Sequence, residues 1–93
     1  MRYAFDPEKL AVNVAKHGVW FSAAEDFDWE TALVAVDDRQ RYAETRFVAI
    51  GLIGSRLHVM VFTLRETTVR LISLRRANSR EVRRYVQAQA QVQ

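Results

Sequence analysis

The stretch from Glu44 to Leu74 leaves little choice of architecture. Three runs, 44–53, 57–64 and 68–74, are dense in β-branched, aromatic and other apolar residues. Only Gly54-Ser55-Arg56 and Arg65-Glu66-Thr67 separate them. Long runs with no proline and connections this short predict antiparallel strands joined by hairpins. Ala32–Val36 predicts a further strand, closed by the polar turn Asp37-Asp38-Arg39-Gln40-Arg41. Tyr3–Phe5 predicts a short edge strand.

Helix signals flank this sheet. Asp6-Pro7 is an N-cap followed by proline at the first helical position, and Lys16-His17-Gly18 ends that helix with cations and a glycine. Ser22-Ala23-Ala24-Glu25 has the spacing of a capping box and predicts a second, shorter helix through about Trp29. Trp20, Phe21 and Phe27 are expected to pack between the helices. Asn78-Ser79-Arg80-Glu81 opens a last helix, expected to run to about Ala90 and to fray over about 88–93. The expected fold is α+β: an antiparallel sheet of four or five strands with two N-terminal helices and one C-terminal helix, in a single domain over residues 1–93.

The charge is divided along the chain. Residues 1–45 hold five Lys and Arg against nine Asp and Glu, a balance of −4. Residues 46–93 hold nine Arg, no Lys and two Glu, a balance of +7. A cationic half of this kind is an electrostatic footprint for a polyanion, either nucleic acid or an acidic protein. Arg in place of Lys favours shaped, bidentate recognition of phosphate or carboxylate. The chain has no Cys, which excludes a disulfide scaffold and a thiolate zinc site. There is no P-loop, G-x-G-x-x-G or nucleophile elbow, and two distant histidines without a carboxylate at ligand spacing do not suggest a metal site. No cofactor is expected. The N-terminus has no apolar signal region and no run approaches membrane-spanning length, so a cytoplasmic protein is expected.

Strand alternation places Glu44 and Arg46 at the start of a face that continues as Val48, Ile50 and Leu52. Counting outward from the hairpin loop brings Arg65 close to Glu44, with Arg75 expected to enter from the next strand. A carboxylate beside guanidiniums is either a general base held in position or a cross-strand ion pair. His17 is either a proton shuttle or a cation against the helix dipole. Tyr85, one turn after Glu81, can donate a proton or stack on a base, or it packs on the sheet. His58 faces away from the Arg65 side of its strand.

These residues lie within a longer resemblance. Phe5-Asp6-Pro7-Glu8-Lys9 is followed by Asn13-x-x-Lys16-His17-Gly18-Val19-x-Phe21-x-x-Ala24, then by Glu44-x-Arg46-Phe47-x-Ala49-Ile50-Gly51 and Val61-x-Thr63-x-Arg65. Arg70-Leu71-Ile72-Ser73-x-Arg75-x-Ala77-x-x-x-Glu81-x-x-x-Tyr85 completes the series. In order and spacing, over roughly residues 3–85, the sequence resembles BrnT-family toxins of bacterial type II toxin–antitoxin systems. The resemblance implies a RelE-like α+β toxin that cleaves RNA without a metal and inhibits translation. It implies a BrnA-like ribbon-helix-helix antitoxin, in a complex commonly of two copies of each, that binds operator DNA through the antitoxin. Under that reading His17, Glu44, Arg46, Arg65, Arg75 and Tyr85 are the catalytic candidates. Lys16, Arg70, Arg76, Arg80 and Arg83 are the substrate-binding ones. A non-catalytic nucleic-acid-binding or protein-interaction module, using the same basic groove, is the alternative.

Overall fold

The computed structural model describes residues 1–91. In chain order it contains β1 (Arg2–Phe5), α1 (Pro7–His17), a short 3-10 helix (Phe21–Asp26), β2 (Leu33–Asp37), β3 (Arg46–Ile53), β4 (Arg56–Arg65), β5 (Thr68–Arg76) and α2 (Ser79–Gln91). The five strands form one sheet in the order β1-β5-β4-β3-β2. The α+β class and the β2–β5 meander are as expected from the sequence, but the sheet is mixed. β1 runs parallel to β5, with Arg2 opposite Thr68 and Phe5 opposite Leu71. A strand at the far end of the chain from its partner can lie either way, since no hairpin turn fixes its direction.

The second N-terminal helix is also corrected. Ser22 forms no cap, and the segment is a six-residue 3-10 helix bonded Ala23 N–H to Trp20 O and Phe27 N–H to Ala24 O. The reason is in the spacing. Phe21, Ala24 and Phe27 are all buried, and a helix of three residues per turn lines up positions three apart on one edge. Trp20, expected to pack between the helices, is 60% exposed. α2 continues helically through Gln91. Residues 92 and 93, the end of the segment expected to fray, lie outside the described residues.

The two sheet faces differ in cover. α1 and the 3-10 helix cover one face, with Phe21, Ala24 and Phe27 packed in one core with Met60, Phe62, Leu71 and Leu74 of the sheet. Gly51 allows this packing, because a Cβ there would meet Phe27 Cζ at 2.5 Å. The polar group that joins α1 to the sheet is Asn13, 3% exposed. Its Nδ2 donates to Leu74 O at 2.7 Å and Val19 O at 3.0 Å, and its Oδ1 accepts from Leu74 N–H at 3.0 Å. It serves β5 as a ladder partner where β1 has stopped. The opposite face carries a smaller cluster of Ile50 and Val59 under Tyr85 of α2, with Gln89 bonding Thr31 O across the helix's far end. α2 covers only part of that face. Among the described residues no helix is long and apolar enough to cross a membrane.

Candidate active site

The half-covered face is a groove. Its floor is Val48, Ile50, Val59 and Val61, at the centre of β3 and β4. Arg75 and the α2 residues Arg80, Glu81 and Arg84 form one wall. The end of β2 and the following turn, Asp37 to Arg39, form the other, around a cavity of about 610 Å³. Beyond Val48 and Val61 the face continues into a smaller cavity of about 220 Å³ between Lys9, Tyr42, Glu44, Arg46, Thr63 and Arg70.

At this open end the expected neighbours meet. The β3–β4 register, extended outward from Ile53 opposite Arg56, sets Glu44 against Arg65. Arg65 Nη2 donates to Glu44 Oε1 at 2.9 Å. The pair is exposed, with side chains 67% and 46% accessible, and the bond to Glu44 makes the Arg65 guanidinium harder to deprotonate. Arg46 and Arg70 line the same cavity and have no carboxylate partner among the described residues. Arg46 instead lies over Tyr42, its Cζ 4.1 Å from the ring centroid.

Arg75 does not join them. It stands opposite Val59, whereas Arg65 stands opposite Thr68. The two arginines are therefore separated by six residues of β4, roughly 20 Å along the strand. The expectation that Arg75 enters beside Glu44 and Arg65 is corrected. Counting from the turn places the hairpin residues but not those of β5, whose own length carries Arg75 to the far end of the face. The register shift between Val61 and Phe62, where Ile72 goes unpaired, falls between these two ends. Arg75 is also engaged. Its Nη1 and Nη2 donate to the two oxygens of Glu81 at 2.8 and 2.7 Å. Glu81 in turn accepts from Asn78 N–H, while Asn78 Oδ1 accepts from Glu81 N–H, so the pair is fused to the α2 capping box. The Arg75 hydrogen bonds hold the Glu81 carboxyl below its ordinary range.

The remaining candidates divide in the same way. Arg80 borders the α2 half of the groove, and Arg76 and Arg83 are exposed nearby in sequence without lining it. Tyr85 is 8% exposed, with its ring against Ile50 and Val59. Lys16 and His17 line a third cavity, between α1 and Ile72-Ser73 of β5. Burial, helped by the charges of Lys16 and Arg75, lowers the His17 proton affinity. His58 is buried on the other face, its Nδ1 2.9 Å from Arg56 O.

Asp37, Arg39 and Tyr42, which in sequence look like no more than a polar turn, form a site of their own. Asp37 is buried, with its side chain 2% accessible, and accepts from Arg39 Nε and Nη2 at 2.8 Å each and from Tyr42 OH at 3.1 Å. The Arg39 hydrogen bonds pull its carboxyl down to about 2 despite burial. One signal was available: an Asp at the last position of a strand, two before an Arg, at a register position facing Arg46. Among the described residues no three His, Asp or Glu side chains are grouped as metal ligands would be.

Residues 5–81 match the family described as ribonuclease toxin, BrnT, of type II toxin-antitoxin system. No curated protein matches the chain.

Proposed function

The chain belongs to the BrnT family, the ribonuclease toxins of type II toxin–antitoxin systems, and we propose that the half-covered sheet face is where it binds and cuts RNA. The toxin's activity is on RNA and its partner is a cognate antitoxin. The observation that carries the assignment of the face is the open-end cavity. There an exposed carboxylate, Glu44, stands among Arg65, Arg46 and Arg70, two of them without a carboxylate partner among the described residues.

RNA brings its own nucleophile. Glu44 takes the proton of a ribose 2′-hydroxyl, the 2′-oxygen attacks the adjacent phosphorus, and the 5′-oxygen leaves with a proton from solvent or a nearby acid. The products are a 2′,3′-cyclic phosphate and a 5′-hydroxyl. Arg46, Arg65 and Arg70 neutralise the charge that gathers on the phosphoryl oxygens. This chemistry asks for no metal, so endonucleolytic cutting is expected to persist in EDTA. Arg75, Arg80 and Arg84 hold the same strand further along. Lys16, Arg76 and Arg83 add to the field that draws it in. Cleavage of messenger RNA in the cytoplasm stops translation.

A second reading moves the chemistry to the α2 end. It draws on His17, which lines the cavity against Ile72-Ser73, two residues before Arg75 on β5, with Tyr85 as the acid. Purified Glu44→Gln and His17→Gln proteins separate the two. The first reading expects cleavage to fall about 100-fold in Glu44→Gln and to survive in His17→Gln; the reverse pattern selects the second. Folded variants that both cut at the parental rate would leave neither standing.

The antitoxin is a BrnA-like ribbon-helix-helix protein, two copies with two toxins, that binds operator DNA. An acidic segment of it laid over Arg65, Arg75 and Arg83 would exclude RNA by competition. RNA cleavage is then inhibited at stoichiometric antitoxin, and the inhibition weakens as salt rises.

A further inference from the structure

One buried carboxylate touches both halves of the groove and has no part in the cleavage chemistry. Asp37 ends β2 opposite Arg46, and its side chain borders the larger cavity on one side and the approach to Glu44 on the other. It fixes two cations. Arg39 is held directly, by Nε and one Nη2 hydrogen, and its side chain is nonetheless 75% accessible. A guanidinium has five N–H donors, so three remain to be offered outward. Arg46 is held indirectly: Tyr42 donates its hydroxyl to Asp37 and presents its ring to the Arg46 guanidinium at 4.1 Å. The Arg46 N–H groups have no carboxylate partner among the described residues.

We propose that Asp37 is a positioning residue for the RNA strand. It sets Arg39 directly, and Arg46 through Tyr42, as two phosphate-binding groups that link the α2 end of the groove to the open end. The proposal rests on the reading that this face binds RNA. Two observations favour it over a purely structural ion pair. Arg39 lies on the wall opposite Arg75, close enough that its charge opposes that of Arg75. Holding a cation there is unfavourable in the empty groove and favourable once a polyanion lies between the two. The Asp37 carboxylate is also out of water, where it costs free energy unless fully paired, and three of its donors come from Arg39, which it positions directly, and from Tyr42, through which it positions Arg46.

The sign of one substitution separates the alternatives. Asp37→Asn removes a negative charge beside a cationic groove. If Asp37 contributes only charge, RNA binds as tightly or more tightly. If it positions Arg39 and Arg46, binding weakens although the protein has become more positive. The probe is a single-stranded, fully 2′-O-methylated RNA oligonucleotide, which the enzyme cannot cut, titrated by fluorescence anisotropy at a series of KCl concentrations. For a single strand, every phosphate that the protein no longer neutralises lowers the slope of log K against log salt by about 0.7. The expected results are a reduction of about 1.4 and roughly 10-fold weaker binding at 0.1 M KCl for Asp37→Asn, and a reduction of about 0.7 for Arg39→Gln. On a cleavable oligonucleotide Arg39→Gln raises KM with little change in kcat, whereas Asp37→Asn, which also frees Arg46, raises KM and lowers kcat.

Folded Asp37→Asn with unchanged or tighter binding and the parental slope overturns the proposal. Should Asp37→Asn fail to fold by circular dichroism, Arg39→Gln carries the test, since that side chain stands in solvent; a parental slope there overturns it equally. Arg70→Gln tells the two failures apart. A smaller slope in Arg70→Gln alone rejects the Asp37 proposal and keeps the groove. Parental slopes in all three variants reject the groove itself.

Discussion

The groove ends in two arginine–glutamate pairs that share chemistry and differ in almost everything else. At the open end Arg65 meets Glu44 through one hydrogen bond, between side chains that are 67% and 46% accessible. At the α2 end Arg75 meets Glu81 through two, with accessibilities of 33% and 14%, and Glu81 also accepts from the N–H of Asn78, which caps α2. A single exposed bond is easily exchanged for another anion, because water already competes for both partners. A two-pronged pairing with a shielded carboxylate is held by geometry, and breaking it strands a half-buried charge. The first pair is thus suited to yield to a phosphate. The second is suited to fix a helix on a sheet. Residue type alone does not assign those roles; accessibility and the number of bonds do.

The contrast can be broken by substitution. The largest effect is expected at the open end on activity: Arg65→Ala lowers RNA cleavage about 100-fold and leaves the melting temperature unchanged. A matching loss of thermal stability would mean that Arg65 is structural after all. At the other end the signature inverts. Arg75→Ala is expected to cost about 2 kcal/mol, a fall of roughly 10 °C in Tm for a chain of this size, with Glu81→Ala similar and the double variant far from additive. Unchanged Tm in Arg75→Ala would erase the distinction.

Acid sharpens it further. Glu81 is held below its ordinary carboxyl range, so its contribution is present above the unfolded value near 4 and disappears as pH falls through the lower folded value. Asp37 behaves alike, its contribution falling away progressively from about pH 4 to about pH 2. Stability is therefore expected to fall below pH 4 in the parent, and by less in Arg75→Ala, which no longer has the Glu81 partner. Denaturant titrations at pH 6, 4 and 3 read this directly. The smallest effect is expected from Tyr85→Phe. The ring stays against Ile50 and Val59, stability moves by under about 0.5 kcal/mol, and cleavage is retained if the reacting centre is at Glu44. A large loss of cleavage with Tm intact would shift the chemistry to the α2 end.

What could be read from the chain follows the range of each signal. The hairpin was legible down to the Glu44–Arg65 pair, because a short turn sets its register and alternation sets the face. The capping box of α2 was legible for the same local reason. The direction of β1 was not, since its partner is some seventy residues away and parallel pairing carries no turn. Nor was the distance from Arg65 to Arg75, which depends on how far β5 runs before it ends. Asp37 looked like any acidic turn residue. Its importance comes from burial, and burial depends on how β2 lies against β3. In α1 Leu10, Ala11, Val14 and Ala15 recur at helical spacing, yet the one buried residue of that helix is Asn13. Its amide is there for the backbone of Leu74, a partner that apolar periodicity cannot register.

That amide has a consequence for how the protein behaves in a crowd. A sheet with two open margins can be lengthened from both sides and grow into filaments. On the α1 side the margin is a four-residue strand, and where it stops a side chain occupies the hydrogen-bonding positions of Leu74 that a stranger would need. On the other side β2 presents the uncharged run Leu33-Val34-Ala35-Val36, with both valines in solvent. Removing the Asn13 amide would leave the Leu74 N–H and C=O open to a strand from another molecule.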